Sequence, residues 1–183
     1  MKWYANLKIS SKLISAFILV SLITGALGVY GLTNMQKIDE RYSNLWVNYG
    51  VAIGDLGSAG MDFNKSRVKL LRMILSDDLD DVKSMQKDIE ALDANINTNL
   101  VKFRDSIQSE ETVRVFESLQ SKMDQYNDVR DSIISLILSN QPEQAEALLV
   151  SEGSPMADEA EVIMNELFDI RKTNGGNQST TLS

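Results

Sequence analysis

The stretch LISAFILVSLITGALGVYGL, Leu13 to Leu32, sets the terms for the rest of this 183-residue chain. It is twenty residues without a charge. As a helix it would rise about 30 Å, the hydrocarbon thickness of a bilayer. Lys2, Lys8 and Lys12 precede it, and no acid occurs before Asp39. The positive-inside bias therefore predicts a cytoplasmic N-terminal tail (residues 1–12), a transmembrane helix (13–32) and an extracytoplasmic remainder. A cleaved secretory signal is the rival reading, with Ala26 and Gly28 as the small residues before a cut. Its apolar core would span only ~7–15 residues, whereas the run here is longer and passes into helical periodicity without a Pro or polar break. An uncleaved anchor fits better.

All 26 acids lie beyond Leu32, with 15 of the 18 Lys and Arg. So acidic an exterior lacks the basic patch that nucleic-acid binding requires, and no nucleic-acid partner is expected. The chain has neither Cys nor His. This removes disulfides, thiol chemistry and the imidazole base of a hydrolytic triad. No metal site or cofactor is expected either, and the Met residues form no soft cluster and read as core fillers. No spacing places two carboxylates together in an apolar pocket, so an enzyme is not expected.

Beyond Leu32 the dominant pattern is a three-four spacing: Met35, Ile38, Tyr42, Leu45, Tyr49, Ala52, Leu56, Ala59, Phe63, Ser66, Leu70 and Met73. Eleven of these twelve are apolar, which predicts one long helix from about Leu13 to Ser76. SDDLDD (Ser76 to Asp81) ends it and caps a second helix carrying Val82, Met85, Ile89, Leu92, Ile96, Phe103 and Ile107, with Asn99 in its seam. Gln108-Ser109-Glu110 makes the next turn. The third helix carries Phe116, Leu119, Met123, Tyr126, Ile133 and Ile137, with Thr112 and Arg130 as polar seam members. Ser139-Asn140-Gln141-Pro142 turns the chain into a fourth helix with Ala145, Leu148 and Leu149. A break or kink is expected at Gly153-Ser154-Pro155, after which Met156, Ala160, Ile163, Leu167 and Ile170 continue the seam. Asn174-Gly175-Gly176 reads as a helix stop before a polar tail (175–183). The fold class is all-α: a transmembrane helix continuous with an up-down-up-down antiparallel four-helix bundle over 33–174. Its second turn and its C-terminus would lie near the bilayer.

KISSKLISAF (Lys8 to Phe17), the apolar run after it and GLTNMQKID (Gly31 to Asp39) resemble the N-terminus of bacterial methyl-accepting chemotaxis proteins. NQPEQAEALLVSEGSPMADEAEVIMNELFDIRKTN (Asn140 to Asn174) is similar to the last helix of their four-helix-bundle sensor domain. The resemblance implies a homodimeric receptor of the bacterial inner membrane that senses a small-molecule ligand and passes a helix shift inward. In that family a second membrane span, a HAMP linker and a signalling domain follow, and none lies within this chain. It would be the sensor portion of a longer receptor or a truncated product. The same domain also precedes histidine kinases and cyclic-dinucleotide enzymes.

Lys65, Arg67, Lys69 and Arg72 form the largest cationic cluster in this acidic domain. Family members that bind amino-acid carboxylates carry arginines in this region. The arginines here are spaced differently, so the resemblance carries over the region and not a motif. Within it Arg67 and Arg72 could clamp a carboxylate through bidentate hydrogen bonds, with Gln144, Ser151 and Ser154 as polar partners on the facing helix. The competing reading is charge balance, in which these cations offset a helix end and pair with Asp77, Asp78, Glu143 or Glu146. Arg130 reads as a paired core-edge residue. In the membrane helix, Ser21, Gly25 and Gly28 share a face on which a second span could pack closely, although Gly is also simply common in such helices. A membrane-anchored bundle that docks a periplasmic protein is the alternative function.

Overall fold

A computed structural model describes residues 8–180 of the chain. They are helical nearly throughout, with no strand among them. Helix α1 spans Ile9–Leu45, and a wider π-helical segment follows at Trp46–Val51. Then come α2 (Ala52–Ile74), α3 (Leu79–Asp105), α4 (Glu110–Leu138) and α5 (Pro142–Leu148). A second π-helical segment (Leu149–Gly153) leads into α6 (Ser154–Thr180). The chain divides into two units, Met1–Asn44 and the part from Leu45 onward.

In the first unit the stretch Ile9–Ser43 is long and apolar enough to cross a membrane, and none of its most apolar window is buried by protein. Two of its threonine hydroxyls are bonded along the helix: Thr24 Oγ1 donates to the Val20 carbonyl (2.8 Å) and Thr33 Oγ1 to that of Tyr30 (3.0 Å). Such back-bonding lets Ser and Thr sit in hydrocarbon without a stranded donor. Gly25, Gly28 and Gly31 have open space where a Cβ would be. Of the tail placed at 1–12, residues 1–7 lie outside the described residues.

The second unit is the four-helix bundle. Two of its turns are fixed by capping chemistry. The Asp78 side chain accepts from the Asp80 N–H at 2.8 Å, and Ser109 Oγ accepts from the Thr112 N–H at 3.2 Å. Each satisfies a first-turn amide that the helix cannot. After α4, Asn140 takes φ 55° while its N–H bonds the Ile137 carbonyl and that of Gln141 bonds Leu136. This pairing is a Schellman motif, with Asn in the left-handed position and Pro142 opening α5. Replacing Asp78 with Ala should lower bundle stability by about 1 kcal/mol, read by chemical denaturation.

Every seam residue anticipated from Tyr49 to Met73 is buried, Ser66 included. The upstream members Met35, Ile38 and Tyr42 belong to the first unit and are exposed. The bundle core falls into two apolar clusters. One is centred on Phe63, Phe103, Phe116 and Leu167, the other on Leu70, Met73, Ile89 and Ile133. Between them along the helices lie Ser66 on α2, Asp93 on α3 and Arg130 on α4. Arg130 donates to Asp93 (2.9 Å) and Asp131 (3.1 Å). A polar layer thus divides the core.

Three expectations are corrected. The single helix predicted from Leu13 to Ser76 is interrupted at Trp46–Val51, where the Trp46 ring lies over Gly50 so closely that a Cβ there would sit 2.9 Å from it. Where a break or kink was expected at Gly153-Ser154-Pro155 the chain does not break, though its geometry changes there. It widens into π geometry just before Pro155, and a wider turn accommodates a ring that would collide with the carbonyl four residues back in regular α-helix. Nor does the helix stop at Asn174-Gly175-Gly176, since α6 runs to Thr180. At Gly175 a Cβ would lie 3.4 Å from that of Tyr49, so glycine permits a close approach here without ending the helix.

Candidate functional site

A cleft of about 390 Å³ opens between α2 and the second π segment with the start of α6. Asn64, Arg67, Val68 and Leu71 line it from α2, and Leu149, Gly153, Ser154 and Ala157 from the other side. Tyr126 of α4 closes it from within. The cleft sits where the two core clusters meet, for among its lining residues Tyr126 belongs to one and Leu149 packs against the other. The widened turn and Gly153 help shape its wall. A Cβ at Gly153 would come within 3.1 Å of Leu149 Cδ1 and 3.2 Å of Ile133 Cδ1.

Tyr126 is 1% exposed and stacks edge-on against Phe63, ring centroids 5.1 Å apart. Its hydroxyl has no hydrogen-bond partner among the described residues, and burial pushes its pKa above the ordinary tyrosine value. A buried hydroxyl left without a partner costs about 1–3 kcal/mol. Tyr126→Phe should therefore raise the unfolding free energy by about 1 kcal/mol, measured by denaturant titration.

Of the anticipated ligand contacts, the structure brings Arg67 and Ser154 together in this cleft. Arg67 Nη2 donates to Asp158 (2.7 Å) and Nη1 to Glu161 (3.2 Å), with the guanidinium 6.0 Å from the Phe63 ring centroid. Lys65 pairs with Asp62 (2.8 Å) and Lys69 with Asp88 (2.7 Å), both at the surface. Arg72, Gln144 and Ser151 are exposed and line none of the cleft. The carboxylates that meet these cations are Asp62, Asp88, Asp158 and Glu161, and not the four acids near the turn and the start of the fourth helix. Asn64 and Tyr126 were missed as contacts. The signal for Tyr126 was available: it carries a hydroxyl among the seam's aromatic and aliphatic members, which are otherwise Phe, Leu, Met and Ile.

A second groove of about 400 Å³ runs between α3 and α4, lined by Asp93, Asn97, Gln120, Asp124 and Asn127 with Phe63 at its base. Burial pushes the Asp93 carboxyl above the ordinary value, against the opposing pull of Arg130. A raised carboxylate pKa favours the protonated form. Stability from this group is thus fully present below the ordinary carboxylate range and is lost as pH rises through the raised pKa. Arg130→Leu removes the opposing pull, so a carboxyl-detected NMR titration should find the Asp93 pKa higher still.

One buried cation escaped the sequence reading. Arg171 on α6 is 2% exposed and lies between the Tyr49 and Phe103 rings, 5.5 Å and 5.3 Å from their centroids. Its Nη2 donates to Ser106 Oγ at 2.6 Å, while Nε has no partner and no carboxylate pairs with it among the described residues. Burial lowers its pKa. No cluster of carboxylates able to hold a metal occurs among the described residues.

Over residues 6–181 the chain matches the family described as a four helix bundle sensory module for signal transduction. It is also similar to the "Putative sensory transducer protein YvaQ" of Bacillus subtilis (strain 168), with 24% identity over 167 residues. That alignment covers 91% of this chain and 29% of the relative, so the chain spans less than a third of the relative's length.

Proposed function

Because this chain belongs to the four-helix-bundle sensory modules of signal transduction, we propose that it is the extracytoplasmic, non-catalytic sensor of a chemoreceptor-like transducer and takes a small molecule in the cleft under Tyr126. The observation that carries this reading is a cleft at the junction of two core clusters whose inner wall is Tyr126, a residue with a buried hydroxyl that has no partner among the described residues. A ligand there touches α2, α4 and α6 together, and so bears on how they pack. Packed helices switch between discrete arrangements by shifts of about 1–2 Å, and a ligand biases them by its differential affinity. Helical backbone extends from Ile9 to Ile74, which offers a route toward the membrane segment. The lysines before that segment favour a cytoplasmic N-terminus.

A second copy of the chain is the expected partner. Met61 and Val68 on α2 and Leu75 at its C-cap repeat every seven residues and are 61%, 50% and 76% exposed. Such a stripe is the seam of a two-helix contact. Met61→Asp with Leu75→Asp should turn a dimer into a monomer in analytical ultracentrifugation of the detergent-solubilised chain. A wild-type monomer would point the stripe toward a partner protein.

The test of sensing joins this chain to the signalling half of a chemoreceptor and follows kinase output against a panel of small metabolites. Output should respond to at least one compound, and Ser154→Trp, which fills the cleft from the α6 side and lies outside that stripe, should abolish the response. A response that survives this substitution would place sensing elsewhere.

A further inference from the structure

We infer that the cleft selects a neutral, largely apolar molecule carrying one hydrogen-bond acceptor, and not a carboxylate. This rests on the reading of the cleft as the sensory site and deepens it. The one cation of the cleft is already engaged by two carboxylates, Asp158 at 2.7 Å and Glu161 at 3.2 Å. Counting these three groups, the local charge is negative, so an incoming anion meets repulsion unless it displaces both acids. Val68, Leu71, Leu149 and Ala157 give the rest of the lining an apolar character.

Tyr126 forms the inner wall, and its buried hydroxyl has no protein partner among the described residues. A phenol O–H donates readily to a carbonyl. Among the described residues it meets no competitor, and a bond made away from water discriminates strongly against an analogue that cannot accept it. Molecules of this kind include small aromatic ketones, esters and amides. An aromatic ring would pack among the apolar side chains while a single carbonyl accepts from Tyr126.

The experiment uses the full chain in lipid nanodiscs, labelled with 13Cζ-tyrosine. The resonance missing from Tyr126→Phe identifies Tyr126. Three probes of similar size are titrated: acetophenone (neutral, one acceptor), ethylbenzene (no acceptor) and benzoate (anionic). Acetophenone should shift the Tyr126 resonance saturably, at concentrations about tenfold or more below those needed with either other probe. In a chain carrying Asp158→Asn and Glu161→Gln, Arg67 is freed and benzoate should gain on acetophenone.

If benzoate binds the unaltered chain more tightly than acetophenone, and loses that binding on Arg67→Ala, the ligand class is overturned while the cleft remains the sensory site. If ethylbenzene matches acetophenone, the hydroxyl plays no selective part and the inference fails. If none of the three shifts Tyr126 up to millimolar concentration, both the ligand class and the sensory cleft are refuted.

Discussion

Phe63→Ala is expected to lower the unfolding free energy of the bundle by about 3–5 kcal/mol, the range for deleting a buried aromatic ring. Phe63 is 2% exposed and does more than fill space. It stacks edge-on against Tyr126, lies beneath the Arg67 guanidinium and forms the base of the groove between α3 and α4. The paired rings thus stand between the cleft on one side and the groove on the other, and removing Phe63 opens one toward the other. Denaturant titration of the full chain in detergent, followed by helical circular dichroism, measures the loss. A loss below about 1 kcal/mol would mean that the cluster refills the space.

Arg171→Met is expected to act in the opposite sense and stabilise the bundle by about 1–3 kcal/mol. A buried guanidinium without a carboxylate bears its desolvation largely alone. Its compensation is one bond to Ser106 and the faces of Tyr49 and Phe103. Methionine is flexible enough to fill the same slot without the charge, and Ser106 Oγ keeps its bond to the Phe103 carbonyl. The same titration reads the gain. Destabilisation would show that the two-ring sandwich outweighs desolvation. If stability rises and transducer output becomes insensitive to ligand, this strained end of the bundle takes part in switching.

Much of this fold could be read in the sequence because its signals are local and repeated. The three-four seams of α2 and α4 name nearly every buried residue, down to Ser66, Thr112 and Arg130. The acids at Asp77–Asp81 and the Ser139-Asn140-Gln141-Pro142 run mark their turns by capping chemistry that needs no tertiary context. The last helix was harder. Met156, Ile163 and Ile170 attract a periodicity argument, yet the buried row is Ala157, Ala160, Met164, Leu167 and Arg171. Two adjacent rows both carry apolar residues, and only packing against α4 decides between them. An arginine at the next four-residue step then drops out of any reading that follows hydrophobicity.

The π segment at Trp46–Val51 had no signature to read, because a single wider turn changes no residue type. Pro155 and Gly153 suggested a break, but the chain absorbs both within a helix. The same holds for the site. A cluster of four cations drew attention to α2, and it correctly marked the helix that lines the cleft. Three of the four are held at the surface by acids or solvent, because side chains at neighbouring helical positions point in different directions. Arg67 alone turns toward α6. Its paired state and the solitary Tyr126 hydroxyl are tertiary facts, set by residues more than fifty positions apart in the chain.

The central claim is that a molecule in the cleft grips α2 and α6 together, and amide hydrogen exchange tests it most directly. The full chain in nanodiscs would be compared with and without saturating acetophenone, alongside Tyr126→Phe. Protection should rise in two separated segments, Asn64–Leu71 and Leu149–Ala157, and the rise should vanish in the variant. Protection that appears elsewhere, or that persists without the tyrosine hydroxyl, would contradict the account.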